Sequence, residues 1–132
     1  MWPTDHQWCF ERARIVLRND NRDKLNLIDQ FANEVNRGLE IADTGAGEIS
    51  TPYGNIPIAP LMHYLDPYTN MGIGGSIGIG VGVVTNAALF CESCFTIARQ
   101  LWQKPDNALS MRVFGVSLHL VQDLTIPHLS LI

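Results

Sequence analysis

The sequence predicts an all-α fold built as one domain over residues 1–132. A chain of 132 residues suits one domain and can bury roughly 70% of the surface that its unfolded form exposes. Hydrophobic residues make up 46% and charged residues 17% of the chain, which is a globular composition. Apolar residues recur at three- and four-residue steps, as in helices, and no convincing pair of strands is evident.

Four helices are predicted in chain order: Asp5–Arg18, Asp23–Ala42, Asn86–Gln103, and one from Asp106 to Gln122 or Leu124. Thr4 and Gln7 have the spacing of a capping box at the start of the first helix. Pro105 ends the third helix and Pro127 ends any continuation of the fourth. Residues 44–60 are rich in glycine and proline, which predicts a loop.

Composition excludes several classes of function. The formal net charge is −4 and the basic residues are scattered, so we expect no binding of duplex nucleic acid. The N-terminus has no basic and apolar signal segment, which predicts a cytoplasmic chain if the sequence is taken as it stands. The uncharged stretch Met71–Val84 is shorter than the roughly 20 residues that cross a bilayer, so no transmembrane segment is predicted.

Two uncharged motifs admit more than one interpretation. The glycine-rich stretch Met71–Val84 matches neither nucleotide-binding motif; it predicts a flexible loop, or else a surface that touches lipid or shapes a substrate mouth. Cys91 and Cys94 have CxxC spacing without a second pair. We expect them to be buried or partly buried thiols, with an adventitious metal site or redox work as the alternatives.

Histidine and aspartate residues stand at spacings that could converge on metal ions. His119 and Asp123 are four residues apart, so a helix would place both on one face. Imidazole and carboxylate together suit zinc and related ions, although the same pair could be a buried hydrogen-bonded one. His6 and His63 taken singly are more typical of surface or cap positions. Asp43 follows a helix, where the helix dipole disfavours a carboxylate and a cation would explain it.

Four segments taken together resemble the zinc-dependent phospholipase C family, whose fold is shared by single-strand-specific zinc nucleases. The segment 115–127 resembles the family's Gly-x-x-x-His-Tyr-x-x-Asp-x-x-x-Pro motif most closely. The other three, in chain order, are the histidine block 6–13, the helix end 36–43 with its Gly-x-x-x-Ala-Asp pattern, and the His-Tyr-Leu-Asp-Pro-Tyr segment 63–68. The resemblance covers nearly the whole chain but only the N-terminal part of the family domain.

The resemblance implies a zinc-dependent hydrolase that acts on a phosphodiester such as a phospholipid, with the single-strand nucleases as the alternative. The zinc ligands that it implies are His6, Asp43, His63, His119, Asp123 and His128, and Asp43 could also orient the attacking water. Asp123 would bridge two ions. A third ion would need a later His and Glu that have no counterpart here, and His128 stands one residue earlier after Pro127 than the family's ligand.

The departures from the family pattern lead to a further expectation. The family's closing helices have no counterpart among these 132 residues, so we expect the helix faces that those helices would cover to favour self-association. A non-catalytic helical fragment that binds zinc is the alternative to an active hydrolase.

Overall fold

The computed structural model describes residues 3–42, 48–57 and 87–124. Within them lie five helices and one two-stranded hairpin, in the order α1 Pro3–Asp20, α2 Arg22–Gln30, α3 Ala32–Ile41, β1 Glu48–Thr51, β2 Gly54–Pro57, α4 Ala87–Gln103 and α5 Asn107–Asp123. The all-α prediction is confirmed. The fourth predicted helix corresponds to α5, and the third to α4 over the residues described here. The first begins two residues earlier than predicted, at Pro3, a residue suited to the first turn of a helix.

The predicted helix Asp23–Ala42 is wrong as a single element, because the chain breaks at Phe31. The backbone of Phe31 leaves the helical region (φ −119°, ψ 19°), and its N–H donates to the Ile28 carbonyl. Its ring meets Trp102 edge-on at 5.8 Å between ring centroids. The three- and four-residue periodicity runs through the break, so the pattern alone could not reveal it.

The hairpin in the glycine- and proline-rich segment was not predicted either. Strands β1 and β2 pair antiparallel, with Ile49 directly opposite Ile56, and both side chains are buried in the core. Gly54 has φ +126°, a conformation that favours glycine at this turn. Thr51 Oγ1 donates to the Gly54 carbonyl at 2.6 Å, which closes the turn.

Helix α5 lies between α3 and α4, and it crosses α3 at backbone contact through two glycines. A Cβ atom added at Gly38 would lie 2.0 Å from the Arg112 carbonyl oxygen, and one added at Gly115 would lie 2.3 Å from the Val35 carbonyl oxygen. Since real Cβ contacts are never this short, the crossing requires glycine on both helices. An ion pair of 2.9 Å between Arg112 Nε and Glu34 Oε2 flanks the same crossing.

Two apolar clusters form the core. The larger joins α4, α5 and the hairpin, and its buried members are Ala42, Ile49, Ile56, Phe90, Cys94, Ala98, Leu101, Val113, Val116 and Leu120. The smaller joins α1, α3 and α5 through Phe10, Val35, Leu39 and Met111. Ser110 Oγ donates to the Ala98 carbonyl at 2.6 Å, so its buried hydroxyl between α4 and α5 is satisfied.

Helix α1 contributes little to the core. Phe10 is buried, whereas Trp8, Ile15 and Val16 are exposed, and Arg12 lies over the Trp8 ring at 5.1 Å. Self-association through such apolar side chains stays a prediction. Among the helices of residues 3–42 and 87–124, none is long and apolar enough to cross a membrane.

We expect Gly115→Ala to destabilise the fold, because its methyl group would force α3 and α5 apart. Overpacking of this kind costs about 1–3 kcal/mol, and the free energy of unfolding can be measured with urea. Ala108→Ser adds one atom at an exposed position of the same helix and should change stability little. Equal stability of the Gly115→Ala variant and the wild-type protein would contradict the backbone contact.

Burial makes Cys94 unreactive in the folded chain. It raises the pKa of the Cys94 thiol to about 12, with the charge of Cys91 as a smaller cause. A raised pKa means that the folded state favours the neutral thiol. Its contribution to stability is therefore present below the unfolded pKa of about 8.5 and falls as pH rises from there toward 12.

We therefore expect iodoacetamide at about pH 8.5, near the ordinary thiol pKa, to modify Cys94 far more slowly than the half-buried Cys9. Mass spectrometry of digested protein gives both rates in one sample. In denaturant the two rates should become similar. Equal rates in the native protein would show that Cys94 is accessible.

Candidate metal centre

Three buried side chains converge where the start of α1 meets the end of α5. His6 Nε2 lies 3.1 Å from one carboxylate oxygen of Asp123, and His119 Nε2 lies 3.1 Å from the other. His6 and His119 are fully buried and Asp123 is 2% exposed. One ligand atom from each residue lies within 4.8 Å of the other two. The arrangement has the residue types and the spacing of a metal-binding group.

The helix crossing positions His119. His119 lies one turn beyond Gly115 on α5, and the close approach of α3 brings the Leu39 carbonyl oxygen within 3.0 Å of His119 Nδ1. A carbonyl oxygen only accepts hydrogen bonds, so Nδ1 must carry the hydrogen. In the neutral ring the Nε2 atom then carries a lone pair, and this lone pair faces Asp123.

Gln122 positions His6. Gln122 is buried on α5, and its side-chain Oε1 lies 2.6 Å from His6 Nδ1. An amide oxygen is also an acceptor only, so here too Nδ1 carries the hydrogen. In the neutral ring the His6 Nε2 lone pair likewise faces Asp123.

With these tautomers, the two Nε2 lone pairs and the buried Asp123 carboxylate form one set of donor atoms. A cation held by all three would compensate the charge of the carboxylate. The two rings stack with centroids 3.6 Å apart and an interplanar angle of 23°. Protons on both Nε2 atoms would therefore bring two imidazolium charges face to face, which is unfavourable.

A divalent cation could bind both lone pairs and the carboxylate together. His6 Nε2 is fully buried and forms no hydrogen bond; its 3.1 Å approach to Asp123 meets the distance of an ion pair without the angles of a hydrogen bond. A buried ring nitrogen without a hydrogen bond is suited to bind a metal ion.

The observed distances suit a small divalent cation. Zinc binds nitrogen and oxygen ligands at about 2.1 Å, so neighbouring ligand atoms in a tetrahedral site lie about 3.4 Å apart. The two 3.1 Å N···O separations are within a few tenths of an ångström of that spacing. Because each carboxylate oxygen faces a different imidazole, Asp123 could chelate one ion or bridge two. Imidazole and carboxylate also suit iron, nickel and copper, so the donor set alone does not select zinc.

Of the six predicted ligands, the structure brings three together. His6, His119 and Asp123 form the group described above, although the first two stand 113 positions apart in the chain. Asp43, His63 and His128 lie outside the described residues. The catalytic role of Asp43 therefore stays a prediction.

Sequence reasoning missed the two groups that orient the imidazoles. Gln122 stands between two predicted ligands in the chain, so its side chain was a possible clue. The Leu39 carbonyl is a backbone group, which leaves no trace in the sequence.

The three comparisons with known proteins yield no match: the chain matches no family model, no curated protein and no solved structure. The assignment of the site therefore depends on its own geometry.

We expect zinc to stabilise the folded chain, because an ion bound only by the native state lowers its free energy by about 2.7 kcal/mol at 100 times the dissociation constant. The melting temperature should rise by several degrees when zinc is added and fall back with a chelator. Asp123→Asn should abolish this shift, since a neutral amide oxygen is a poor ligand for the ion. His128→Ala should cause a smaller loss.

Asp20→Asn is the matched control, since Asp20 is an exposed carboxylate at the end of α1. Its zinc-induced shift should equal that of the wild-type protein. Retention of the full shift by Asp123→Asn would rule out Asp123 as a ligand.

Proposed function

We propose that the chain is a zinc-dependent phosphoric ester hydrolase of the phospholipase C type. The observation that supports the proposal is the convergence of two imidazole Nε2 atoms on the two oxygens of the buried Asp123 carboxylate. These three residues come from two of the four segments that resemble the family, and the glycines of the crossing, Gly38 and Gly115, come from the same segments as Leu39 and His119. Residues from three of the four segments therefore lie close together in space.

In this proposal each described residue has a role at the metal. His6 and His119 supply Nε2 ligands, and Asp123 supplies one oxygen toward each, as a carboxylate that bridges two ions would. When bound, zinc lowers the pKa of a coordinated water to about 7 and neutralises charge on the phosphoryl oxygens. The burial of all three side chains lowers the local dielectric and strengthens the interaction of these groups with the bound charge.

The remaining roles rest on the resemblance alone. Asp43 is proposed to bind at the same metal pair or to orient the attacking water. His63 is proposed as the further ligand on the His119 side, and His128 as a ligand that follows Pro127. Two ions are proposed, since the two oxygens of the Asp123 carboxylate face different imidazoles.

The proposed substrate is a phosphodiester, with a phospholipid preferred to nucleic acid. The net charge of −4 and the scattered basic residues give no electrostatic attraction to a polyanion. A phospholipid presents a single phosphodiester, which needs neutralisation only at the metal centre.

Zinc content and turnover test the proposal together. We expect about two zinc ions per chain by elemental analysis, and hydrolysis of a choline phosphodiester analogue that is lost with a chelator and restored by zinc. Asp123→Asn should lower the rate by more than the roughly 10- to 100-fold that loss of an outer-shell partner causes, and Asp20→Asn should not change it.

The alternatives give different results in the same assays. Cleavage of single-stranded DNA in place of the choline analogue would indicate a nuclease. Stoichiometric zinc without turnover would indicate a non-catalytic metal-binding domain. Folded protein without zinc would contradict the metal proposal itself.

A further inference from the structure

The role of Gln122 beside the metal centre goes beyond that of a core residue. Its side chain lies 8% exposed on the last turn of α5, and its Oε1 accepts the hydrogen bond from His6 Nδ1 at 2.6 Å. That bond joins residues 116 positions apart in sequence, and it ties the first helix to the last. Such a short buried bond to a ring nitrogen fixes the rotation of the imidazole as well as its proton.

The two imidazoles are oriented in different ways. His119 Nδ1 donates to the backbone carbonyl of Leu39, which no side-chain substitution removes. The Nδ1 of His6 donates instead to a side-chain amide, that of Gln122. The His6 half of the site is therefore the half that a single substitution at an orienting residue can disturb.

The proton of a neutral imidazole can reside on either ring nitrogen, and the two positions have opposite effects at His6. On Nδ1 it leaves Nε2 with a lone pair for a metal ion. On Nε2 it would lie on the side of the ring that faces the Asp123 carboxylate, 3.1 Å away, and it would occupy the position of the ion. The acceptor that Gln122 offers at Nδ1 therefore keeps the proton off the metal side of the ring.

We propose that Gln122 is a positioning residue of the metal centre, which holds His6 in the tautomer whose Nε2 can bind the ion. The inference rests on the proposed function, because a free Nε2 lone pair is of use only if a cation takes it. Gln122 itself contributes no ligand atom. Its effect reaches the ion through the His6 ring alone.

Two substitutions separate this role from simple packing. Gln122→Met keeps the length and approximate volume of the side chain but removes the oxygen acceptor. Gln122→Glu keeps an oxygen acceptor at the same position. We expect Gln122→Met to weaken zinc binding by about 10- to 100-fold, as loss of an orienting partner does, and Gln122→Glu to bind within a few-fold of the wild-type protein. Titration calorimetry with zinc measures both.

A spectroscopic measurement checks the tautomer without any metal. In protein labelled with ¹⁵N-histidine, the wild-type His6 signal, assigned by His6→Asn, should show a protonated Nδ1, and Gln122→Met should shift the ring toward the Nε2-protonated form. Gln122→Glu should keep Nδ1 protonated. A packing role alone would leave the tautomer of both variants unchanged.

The outcomes distinguish this inference from the proposed function. An unprotonated His6 Nδ1 in the wild-type chain, or wild-type zinc affinity in a folded Gln122→Met variant, would overturn the role of Gln122. A wild-type chain that binds no zinc would overturn the proposed function. The position of the His6 ring proton, measured in that same metal-free sample and in the Gln122 variants, would still show whether Gln122 sets the tautomer. Should Gln122→Met fail to fold, the wild-type tautomer and the Gln122→Glu affinity remain as tests.

Discussion

The contact between two helix backbones at Gly38 and Gly115 is the constraint on which the rest of the structure depends. Side chains normally hold packed helices about 8–10 Å apart, and here their absence lets α3 and α5 touch. The contact places the Leu39 carbonyl within reach of the His119 ring one turn further along α5. A larger residue at either glycine would therefore disturb both the packing of α3 on α5 and the orientation of the His119 ring.

The group of His6, His119 and Asp123 shows how ordinary hydrogen bonds can orient the side chains of a candidate metal site. Each imidazole donates its Nδ1 proton to an acceptor of the protein, a backbone carbonyl for His119 and an amide for His6. Both Nε2 atoms then face the Asp123 carboxylate. Neighbouring protein groups thus determine which ring nitrogens point into the group.

Sequence reasoning was most reliable where the physics is local. Helical periodicity and capping residues depend on near neighbours in the chain, so the helices and the His119–Asp123 pair on one face of α5 were predictable. The participation of His6 was predictable only through resemblance, because no local rule brings residue 6 to residue 123. The break at Phe31 and the Ile49–Ile56 hairpin depend on tertiary packing against Trp102 and the core. Gln122 was missed because its role exists only once α1 has docked.

The sequence separation of the site residues has a consequence for folding. The approach of His6 to Asp123 closes a loop of more than 100 residues, and closing a loop of that length costs chain entropy on the order of 4–5 kcal/mol in the loop-closure model. An ion bound only by the native state would offset part of that cost. Among the described apolar side chains of helix α1, Phe10 is the buried one, and the Arg14–Asp29 ion pair joins α1 to α2. All three cysteines are free, so an ion in this group would act as a cross-link between α1 and α5.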